Sequence, residues 1–395
     1  MTNFYGLLGV VAFVVALLLS VVLHEAGHLL TAKRFGMKAS QFFAGFGATL
    51  WSRRRGETEY GIKAIPLGGF VKIVGYTPLE TVDPADEPRA FYRQPAPRRA
   101  AVIVAGVVMN LLLAFLLLIG LAAGIGIPSG DDATTVVRHV SPCVSAADVC
   151  TPRDPVSPSK KAGLRARDRI VSFGGRPVRD WDELSRAIRD TRPGTPVTVV
   201  VDRKGARLTL PATVASLGGS GYFGLEPAAR TRRLGPVAAV RFAGRFMGDM
   251  TVAIGEIVVD IPHAIPKLFG HERASTKGGQ AGSIVGGAEA SGQVFSSNDT
   301  WRDKLTSFVL LVVSLNLFVG LLNLVPLLPL DGGHLAVVGY ERLKALVFRI
   351  RGRPDPGPVD MTKLMPLTYV AVTLLVGLGV LLILADVINP LKLPQ

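Results

Sequence analysis

The chain alternates long apolar runs with polar stretches, and four of the apolar runs contain no charged residue. Each run is long enough, as a helix, to cross a hydrocarbon layer about 30 Å thick. The runs cover residues 4–23, 100–127, 305–330 and 364–385. We therefore predict an α-helical polytopic membrane protein with four transmembrane helices, placed within residues 1–35, 100–127, 305–330 and 364–388.

The first run is predicted to be a retained helix rather than a secretory signal. No Lys or Arg precedes it, and no pair of small residues marks a cleavage site after it. The stretch that follows, residues 36–99, holds short apolar segments separated by glycine. This pattern predicts β-hairpins on the cytosolic side.

The stretch 131–215 is polar, with several short strand patterns and a helix pattern at 181–191, which predicts an inserted α+β domain. Residues 236–261 place apolar side chains at helical spacing, which predicts an amphipathic helix. That helix is expected either on the outer membrane surface or against the inserted domain. Residues 262–304, rich in glycine, are predicted to be a flexible connector, and residues 331–363 a cytosolic loop.

Composition and charge agree with a membrane protein. Hydrophobic residues make up 49% and charged residues 19% of the chain. Residues 33–99 contain twelve Lys and Arg, and none precedes Lys33. The positive-inside rule then places this stretch and the basic stretch 341–363 in the cytosol, with both termini and the inserted domain outside. The net charge of +14 has no accompanying nucleic-acid motif, so we expect no nucleic acid as a partner.

Residues 24–28, at the end of the first run, read His-Glu-Ala-Gly-His. On a helix His24 and His28 share one face, so both imidazoles can bind one Zn²⁺. Glu25 lies beside them, where it can take a proton from the attacking water. The alternative is an ordinary polar cluster, but ionisable side chains at membrane depth are costly and usually functional. The motif therefore predicts a zinc protease site inside the membrane.

A third ligand is predicted at the end of the third run, where Asp331 follows a stretch interrupted by prolines. The first and third runs cross the membrane in the same direction, so their C-terminal ends lie at the same depth. A zinc protease site needs a third protein ligand and leaves the fourth position open. Asp331 supplies that carboxylate in our prediction; the alternative is a charge at a helix end facing the cytosol.

With these motifs the sequence resembles the site-2 protease family of intramembrane zinc metalloproteases, in particular its bacterial branch with one PDZ domain. The resemblance rests on residues 24–28 and on the stretch from Asn323 to Gly332, and it extends over nearly the whole chain. It implies that His24, His28 and Asp331 bind zinc, that Glu25 is the general base, and that residues 36–99 re-enter the membrane beside the zinc. Asn323 is expected to hold the substrate or the transition state, or else to bond backbone freed by the prolines.

Two departures from the family pattern are visible. The family's Pro-x-Pro after the asparagine is replaced here by Pro326, two leucines and Pro329, although the Asn-to-Asp spacing is kept. In the second run the family's Gly-Pro-x-x-Asn lacks its proline, which leaves Asn110 as a polar partner near the site. His334 is interpreted as a supporting or structural imidazole rather than a ligand.

The inserted domain resembles protease-associated PDZ domains through the stretch from Ala162 to Val171, in which Arg167 replaces the usual glycine. Such domains bind extended peptides by strand addition; a plain structural spacer is the alternative. Two cysteines, Cys143 and Cys150, lie near its start. Outside the cell a disulfide between them is possible, and two free thiols remain the alternative.

The expected function is hydrolysis of peptide bonds in or near the transmembrane helix of single-pass membrane proteins. By the resemblance, these are anti-sigma factors already cut by a site-1 protease, or remnant signal peptides, in a bacterial cytoplasmic membrane. Two other classes stay open. A metal transporter or sensor would use the same ligands without needing Glu25. A catalytically silent scaffold would act through the PDZ-like domain and would not need His24.

Overall fold

The computed structural model describes residues 2–76, 80–145, 150, 154–270, 272–273, 276–297, 299–354, 357 and 359–391. The chain forms two compact units. The first unit combines Met1–Leu121 with Pro236–Leu393, and the inserted unit consists of Ala122–Gly235.

The described helices are, in chain order, α1 (Thr2–Arg34), α2 (Ala96–Gly120), α3 (Pro158–Lys161), α4 (Trp181–Asp190), α5 (Pro236–Ala264), α6 (Ile284–Ser296), α7 (Trp301–Asn323), α8 (Asp331–Ile350) and α9 (Met365–Ile388). The described strands are β1 (Ala39–Arg55), β2 (Thr58–Ile73), β3 (Ile127–Val140), β4 (Arg169–Phe173), β5 (Arg176–Pro177), β6 (Pro196–Arg203), β7 (Ala206–Thr213), β8 (Ala215–Leu217), β9 (Ser220–Tyr222) and β10 (Leu225–Arg232).

Four of the described helices are long and apolar enough to cross a membrane. They cover Phe4–Arg34, Ala96–Ile125, Trp301–Asn323 and Thr362–Ile388. The number agrees with the prediction, and the chain fits a multi-pass membrane protein. The third helix is shorter than predicted, because it ends at Asn323 rather than at residue 330. Prolines at 326 and 329 lack a backbone N–H and cannot continue a helix, so the chain turns there.

Strands β1 and β2 form a sheet that bends back on itself. Residues 41–44 of β1 pair on one side with residues 59–62 of β2 and on the other side with residues 69–72 of the same strand. Residues 51–55 of β1 pair with residues 58–62 from the opposite side. The predicted hairpin is therefore a sheet of four segments, and its two outer edges are formed by residues 49–55 and 69–73.

Two stretches of the first unit differ from the sequence-based predictions. Residues 331–350, expected within a cytosolic loop, form helix α8. Its exposed side mixes Leu343, Leu346 and Ile350 with Arg342 and Arg349, so no uniformly polar face marks the helix in the sequence. The glycine-rich connector contains helix α6, which packs against α1: Oγ–H of Ser291 donates to the carbonyl of Gly9 at 2.7 Å. The glycines here permit close helix contact rather than flexibility, since a Cβ at Gly287 would lie 2.5 Å from the ring of Phe13.

Helix α5 occupies the stretch predicted to be an amphipathic helix. Its apolar side, including Ala243 and Phe246, packs with Leu118 of α2 and Leu317 of α7 in one cluster of buried side chains. This side of the helix joins the first unit's core, whereas most other side chains of α5 are exposed. Burial of this face is the dominant stabilising contribution for such a helix.

The inserted unit contains a sheet with the strand order β10-β3-β4-β6-β7, with β5 paired to β4. Its core is built from alternate strand residues and from the buried side chains of α4, including Phe173, Leu184, Val199, Val201 and Phe223. Asp180 caps α4 by accepting a hydrogen bond from the N–H of Glu183 at 2.8 Å. Cys143 and Cys150 form a disulfide, which removes the alternative of two free thiols.

Candidate metal centre

Close packing of α1 against α2 creates the site. Gly27 of α1 faces the backbone of α2, where a Cβ would lie 2.5 Å from the carbonyl oxygen of Ala105. Gly106 of α2 faces the imidazoles: a Cβ added to Gly106 would lie 2.3 Å from Nε2 of His28 and 2.8 Å from Cε1 of His24. Any larger residue at these positions would push the helices apart. The two glycines thus place both imidazoles in the interior between the helices.

Three side chains converge there. Nε2 of His24 and Nε2 of His28 lie 3.2 Å apart, and Oδ2 of Asp331 lies 3.2 Å and 3.4 Å from them respectively. Around a tetrahedral zinc with bonds of about 2.0–2.2 Å, ligand atoms are separated by about 3.4 Å. The three atoms therefore already have the mutual spacing of zinc ligands. Among the His, Cys, Asp and Glu side chains of the described residues, these three form a group that can hold a metal ion.

The environment of His28 fixes which nitrogen is available. Its Nδ1 lies 2.8 Å from the carbonyl oxygen of Val102, which can only accept a hydrogen bond. Nδ1 therefore carries the proton, and Nε2 presents a lone pair toward Asp331. Such a carbonyl partner on the far nitrogen is usual for a metal-binding histidine.

Glu25 lies in the same cavity without joining the three ligand atoms. Its Oε2 accepts a hydrogen bond from the N–H of Val71 in β2 at 3.0 Å. The hairpin edge thus fixes the carboxylate beside the histidines. The cavity has a volume of about 350 Å³ and is lined by both histidines, Glu25, Asp331, Asn323, Phe70, Val71 and Tyr76, among others.

The turn between α7 and α8 brings Asp331 to the histidines. A Cβ at Gly332 would lie 2.3 Å from the carbonyl oxygens of both Leu324 and Val325, so this turn requires glycine. Asp331 is the first residue of α8, a position where the helix dipole favours a carboxylate. Asn323, the last residue of α7, also lines the cavity.

The remaining polar candidates lie around this group. The ring of His334 is tilted against that of Tyr76, with centroids 4.8 Å apart, and His334 is outside the ligand group. Burial lowers the pKa of His334, and burial with the charges of Asp331 and Glu25 raises the pKa of Tyr76 well above its usual value. Tyr76 lines the cavity and was missed by sequence reasoning, because a tyrosine after a strand carries no motif.

Asn110 is fully buried on α2, one helical turn after Gly106. It packs beside Gly320 of α7: a Cβ added to Gly320 would lie 3.6 Å from the Cβ of Asn110. Neither atom of its side-chain amide has a hydrogen-bond partner within the described residues. It is close to the site but does not line the cavity.

A His-His-Asp group beside a glutamate, on helices apolar enough to cross a membrane, is typical of membrane metallopeptidases. The profile of Peptidase family M50 matches residues 12–354. Zinc metalloprotease Rip1 of Mycobacterium tuberculosis H37Rv is 37% identical, over 98% of this chain and 99% of the relative. A putative zinc metalloprotease of Nostoc is 29% identical over 96% of both chains. The Regulator of sigma E protease of Salmonella typhi is 28% identical over 84% of this chain and 90% of its own.

The chain belongs to peptidase family M50, the site-2 protease family. This membership confirms the predicted enzyme class, a metallopeptidase. The expected cofactor is confirmed too, because zinc is the metal in the names of these relatives and the ligand group fits it.

Proposed function

We propose that this protein is an intramembrane zinc endopeptidase that cleaves single-pass membrane proteins in or near their transmembrane segment. The observation that carries the proposal is the spacing of Nε2 of His24, Nε2 of His28 and Oδ2 of Asp331, on helices apolar enough to span a membrane. These three side chains would hold zinc, which supplies Lewis acidity toward a carbonyl oxygen and toward water.

Glu25 is assigned the role of general base. The carboxylate is held by the N–H of Val71 and lines the cavity with the ligands, so it can accept the proton of the attacking water and pass it to the leaving amine. Asn323 is assigned the role of stabilising the developing oxyanion, because its side chain lines the same cavity and its amide N–H can donate a hydrogen bond. His334 and Asn110 are assigned supporting roles outside the ligand group.

The substrate is proposed to bind as an extended strand along residues 69–73. These residues pair with β1 on one side, and Phe70, Val71 and Ile73 also line the cavity. No strand of the described chain pairs with their other side. A substrate segment that unwinds and adds to this edge would present its peptide bonds to Glu25 and the metal ligands. A hairpin that re-enters the membrane, as the family resemblance implies, would deliver that edge at the required depth.

The inserted unit is proposed to be a PDZ-like domain on the extracytoplasmic side. Its sheet with one main helix supports this assignment, and so does the backbone at Arg167, whose φ of 73° is the left-handed conformation that favours the glycine usual there. Asp168, the next residue, is buried and accepts two hydrogen bonds from Arg203. The domain would select substrates by binding extended peptides or new C-termini.

Regulated proteolysis in a bacterial cytoplasmic membrane is the proposed context. The name of the Salmonella relative, a regulator of sigma E, supports anti-sigma factors as substrates that a site-1 protease has already shortened. Remnant signal peptides form a second substrate group. The basic stretches 33–99 and 341–363 support an orientation with the termini and the inserted unit outside.

A cleavage assay on two forms of one single-pass substrate tests the substrate class. The full chain in nanodiscs should cut a substrate lacking its outer domain at least about tenfold faster than the intact form, and mass spectrometry should place the cut in or near the transmembrane segment. Deletion of residues 131–215 should reduce this discrimination if the inserted unit selects substrates. Equal cleavage of both forms, or cuts only in soluble regions, would overturn the proposal.

The same assay separates the two rival classes. A metal transporter or sensor predicts that Glu25→Gln preserves function, since Glu25 is outside the ligand group. A scaffold predicts that His24→Ala changes nothing. Our proposal predicts that both substitutions abolish cleavage and that only His24→Ala lowers zinc binding.

A further inference from the structure

The outer edge of the β1–β2 sheet, residues 49–55, lies away from the metal centre. It pairs only with residues 58–63, which separate it from residues 41–44 and from the cavity edge at 69–73. Every residue from 49 to 55 is exposed in the first unit. Leu50 is 69% and Trp51 is 55% exposed, although consecutive strand residues point to opposite faces. Each face of this edge therefore carries one large apolar side chain that the first unit leaves uncovered.

Three contacts fix the level of the sheet along α1. Nζ of Lys33 donates to the hydroxyl of Tyr60 at 2.8 Å, and Oε2 of Glu25 accepts from the N–H of Val71. A Cβ at Gly69 would lie 3.4 Å from Cγ1 of Val21. With a rise of about 1.5 Å per residue, the twelve positions from Lys33 to Val21 span about 18 Å. The sheet therefore runs from the basic end of α1 well into its apolar part.

Exposed side chains change character along this direction. Phe46 stacks near Phe70, with ring centroids 6.2 Å apart, and pairs with Ile65, so both lie at the end near Val21. Trp51 pairs with Ile62 nearer the middle. Phe46, Ile62 and Ile65 are exposed, like Leu50 and Trp51. The deep half of the sheet is thus an uncovered apolar surface.

The other half of the same edge is basic. Arg53 pairs with Tyr60, the residue bonded to Lys33, and Arg54 and Arg55 follow it. All three arginines are exposed, and none of them forms an ion pair within the described chain. Lys63 lies deeper, but its ammonium is occupied by the carbonyl of Gly47 and by the ring of Phe43. The free cationic charge is therefore concentrated at the level of the basic end of α1.

We propose that residues 49–55 form a lipid-binding edge, in which Leu50 and Trp51 contact acyl chains and Arg53, Arg54 and Arg55 bind the headgroups of anionic phospholipids. An uncovered apolar edge strand in water promotes aggregation, and a bilayer covers it. Trp favours the membrane–water boundary, and clustered arginines beside an apolar surface attract anionic lipids. Charge complementarity and the change from apolar to basic along one edge favour lipid over a protein partner.

Lipid binding at this edge would also affect the cavity. The sheet that carries it fixes Glu25 through Val71 at its opposite edge. Headgroup binding at the arginines would hold the sheet at one depth and so hold the substrate edge level with the metal ligands. The substrate edge and the lipid edge are separated by two strand segments, about 10–15 Å at the usual spacing between strands.

Fluorescence quenching of Trp51 tests the proposal on the full chain. Trp181→Phe and Trp301→Phe leave Trp51 as the single tryptophan of the three. The protein is placed in nanodiscs of phosphatidylcholine with a minor fraction of phosphatidylglycerol. Two samples are compared. In one, part of the phosphatidylcholine carries bromine on its acyl chains; in the other, phosphatidylglycerol carries it, and the mole fraction of brominated lipid is the same in both. We expect quenching by both lipids, at least about twofold stronger from brominated phosphatidylglycerol because arginines enrich it locally.

Two triple variants complete the test. Arg53, Arg54 and Arg55 changed to Gln should equalise quenching by the two lipids, whereas Arg186, Arg189 and Arg192 changed to Gln should leave the preference intact. The control arginines are also exposed but belong to the inserted unit. Equal quenching in the unmodified chain would overturn headgroup selection, and absence of quenching would overturn lipid contact. Neither readout requires proteolysis, so a failure here is distinct from a failure of the proposed function.

Discussion

Two aspartates of the first unit, Asp386 and Asp331, differ in what surrounds them. Oδ2 of Asp386 accepts hydrogen bonds from the N–H and hydroxyl of Ser283, both at 2.6 Å, and from the N–H of Gly286 at 3.1 Å. Its Oδ1 pairs with the guanidinium of Arg273, which is also buried. Every acceptor position of this carboxylate is occupied by a donor from the chain itself.

Asp331 has the opposite surroundings. Its Oδ2 is buried, accepts no hydrogen bond within the described residues, and faces the Nε2 atoms of His24 and His28. A buried carboxylate oxygen without a donor is costly unless a cation completes the site. The same residue type therefore has two different surroundings: Asp386 is held by donors from the chain, whereas Oδ2 of Asp331 lacks a donor and is proposed to bind the metal.

The largest effect is expected from Asp331→Ala. Loss of one of three ligands should weaken zinc binding by more than the ~10- to 100-fold seen for groups that only support a ligand, and cleavage should fall to background. Competition with a chromogenic chelator measures the affinity. Asp360→Ala, at an exposed carboxylate, is the matched control and should bind zinc like the unmodified chain. Unchanged zinc affinity in Asp331→Ala would remove Asp331 from the ligand set.

Asp386→Ala should act on stability instead of zinc. It leaves the buried guanidinium of Arg273 with carbonyl acceptors but without a carboxylate to balance its charge, which costs about 3–5 kcal/mol. Denaturant unfolding in detergent micelles measures the change, and a second substitution, Arg273→Met, should recover part of the loss. If Asp386→Ala altered zinc affinity in the folded protein without lowering stability, the assignment of a structural role to Asp386 and a metal-binding role to Asp331 would be wrong.

Asp168 tests the same logic in the inserted unit. Its carboxylate is buried and accepts hydrogen bonds from Arg203 and, at 2.8 Å, from the N–H of Arg165. Because Arg203 is partly exposed, Asp168→Asn should cost less than loss of Asp386, about 1–3 kcal/mol. Thermal unfolding of the full chain measures it, with Asp182→Asn at an exposed position as the control. A loss as large as that of Asp386→Ala would contradict the ranking by burial.

The smallest effect is expected at Glu57, whose pair with Arg89 is more than one-third exposed on both sides. Hydrogen bonding to Arg89 holds the pKa of Glu57 below its ordinary value. The pair therefore stabilises the fold above the unfolded pKa of about 4.3, and the contribution is lost as pH falls through the folded pKa. Glu57→Gln should lower the unfolding free energy by at most about 0.5 kcal/mol at neutral pH and by nothing at low pH. A difference that persists at low pH would contradict this assignment.

Much of the site follows from local patterns. The spacing of His24 and His28 predicts one shared helix face, and the shared direction predicted for two apolar runs predicts that Asp331 lies close to both. The four long helices follow from apolar runs that exceed the membrane thickness. These features depend on period and length, which a single sequence displays directly.

Other features depend on contacts that the sequence does not display. Helix α6 escaped prediction because its glycines, chosen for close approach to α1, have the composition of a linker. The pairing of Arg273 with Asp386 joins positions 113 residues apart. Glu25 accepts its hydrogen bond from the backbone N–H of Val71, and a backbone donor cannot be recognised from the type of residue that carries it. Tertiary packing alone determines each of these.

The central claim is that the three-ligand group binds zinc for hydrolysis with Glu25 as the base. The most direct measurement compares the unmodified chain with Glu25→Gln for zinc content and for chelator-sensitive cleavage of a truncated single-pass substrate. We predict equal zinc content and a loss of cleavage of at least about 100-fold in Glu25→Gln, as expected for removal of a general base. Cleavage that survives in Glu25→Gln, or an unmodified chain that cleaves without zinc, would contradict the account.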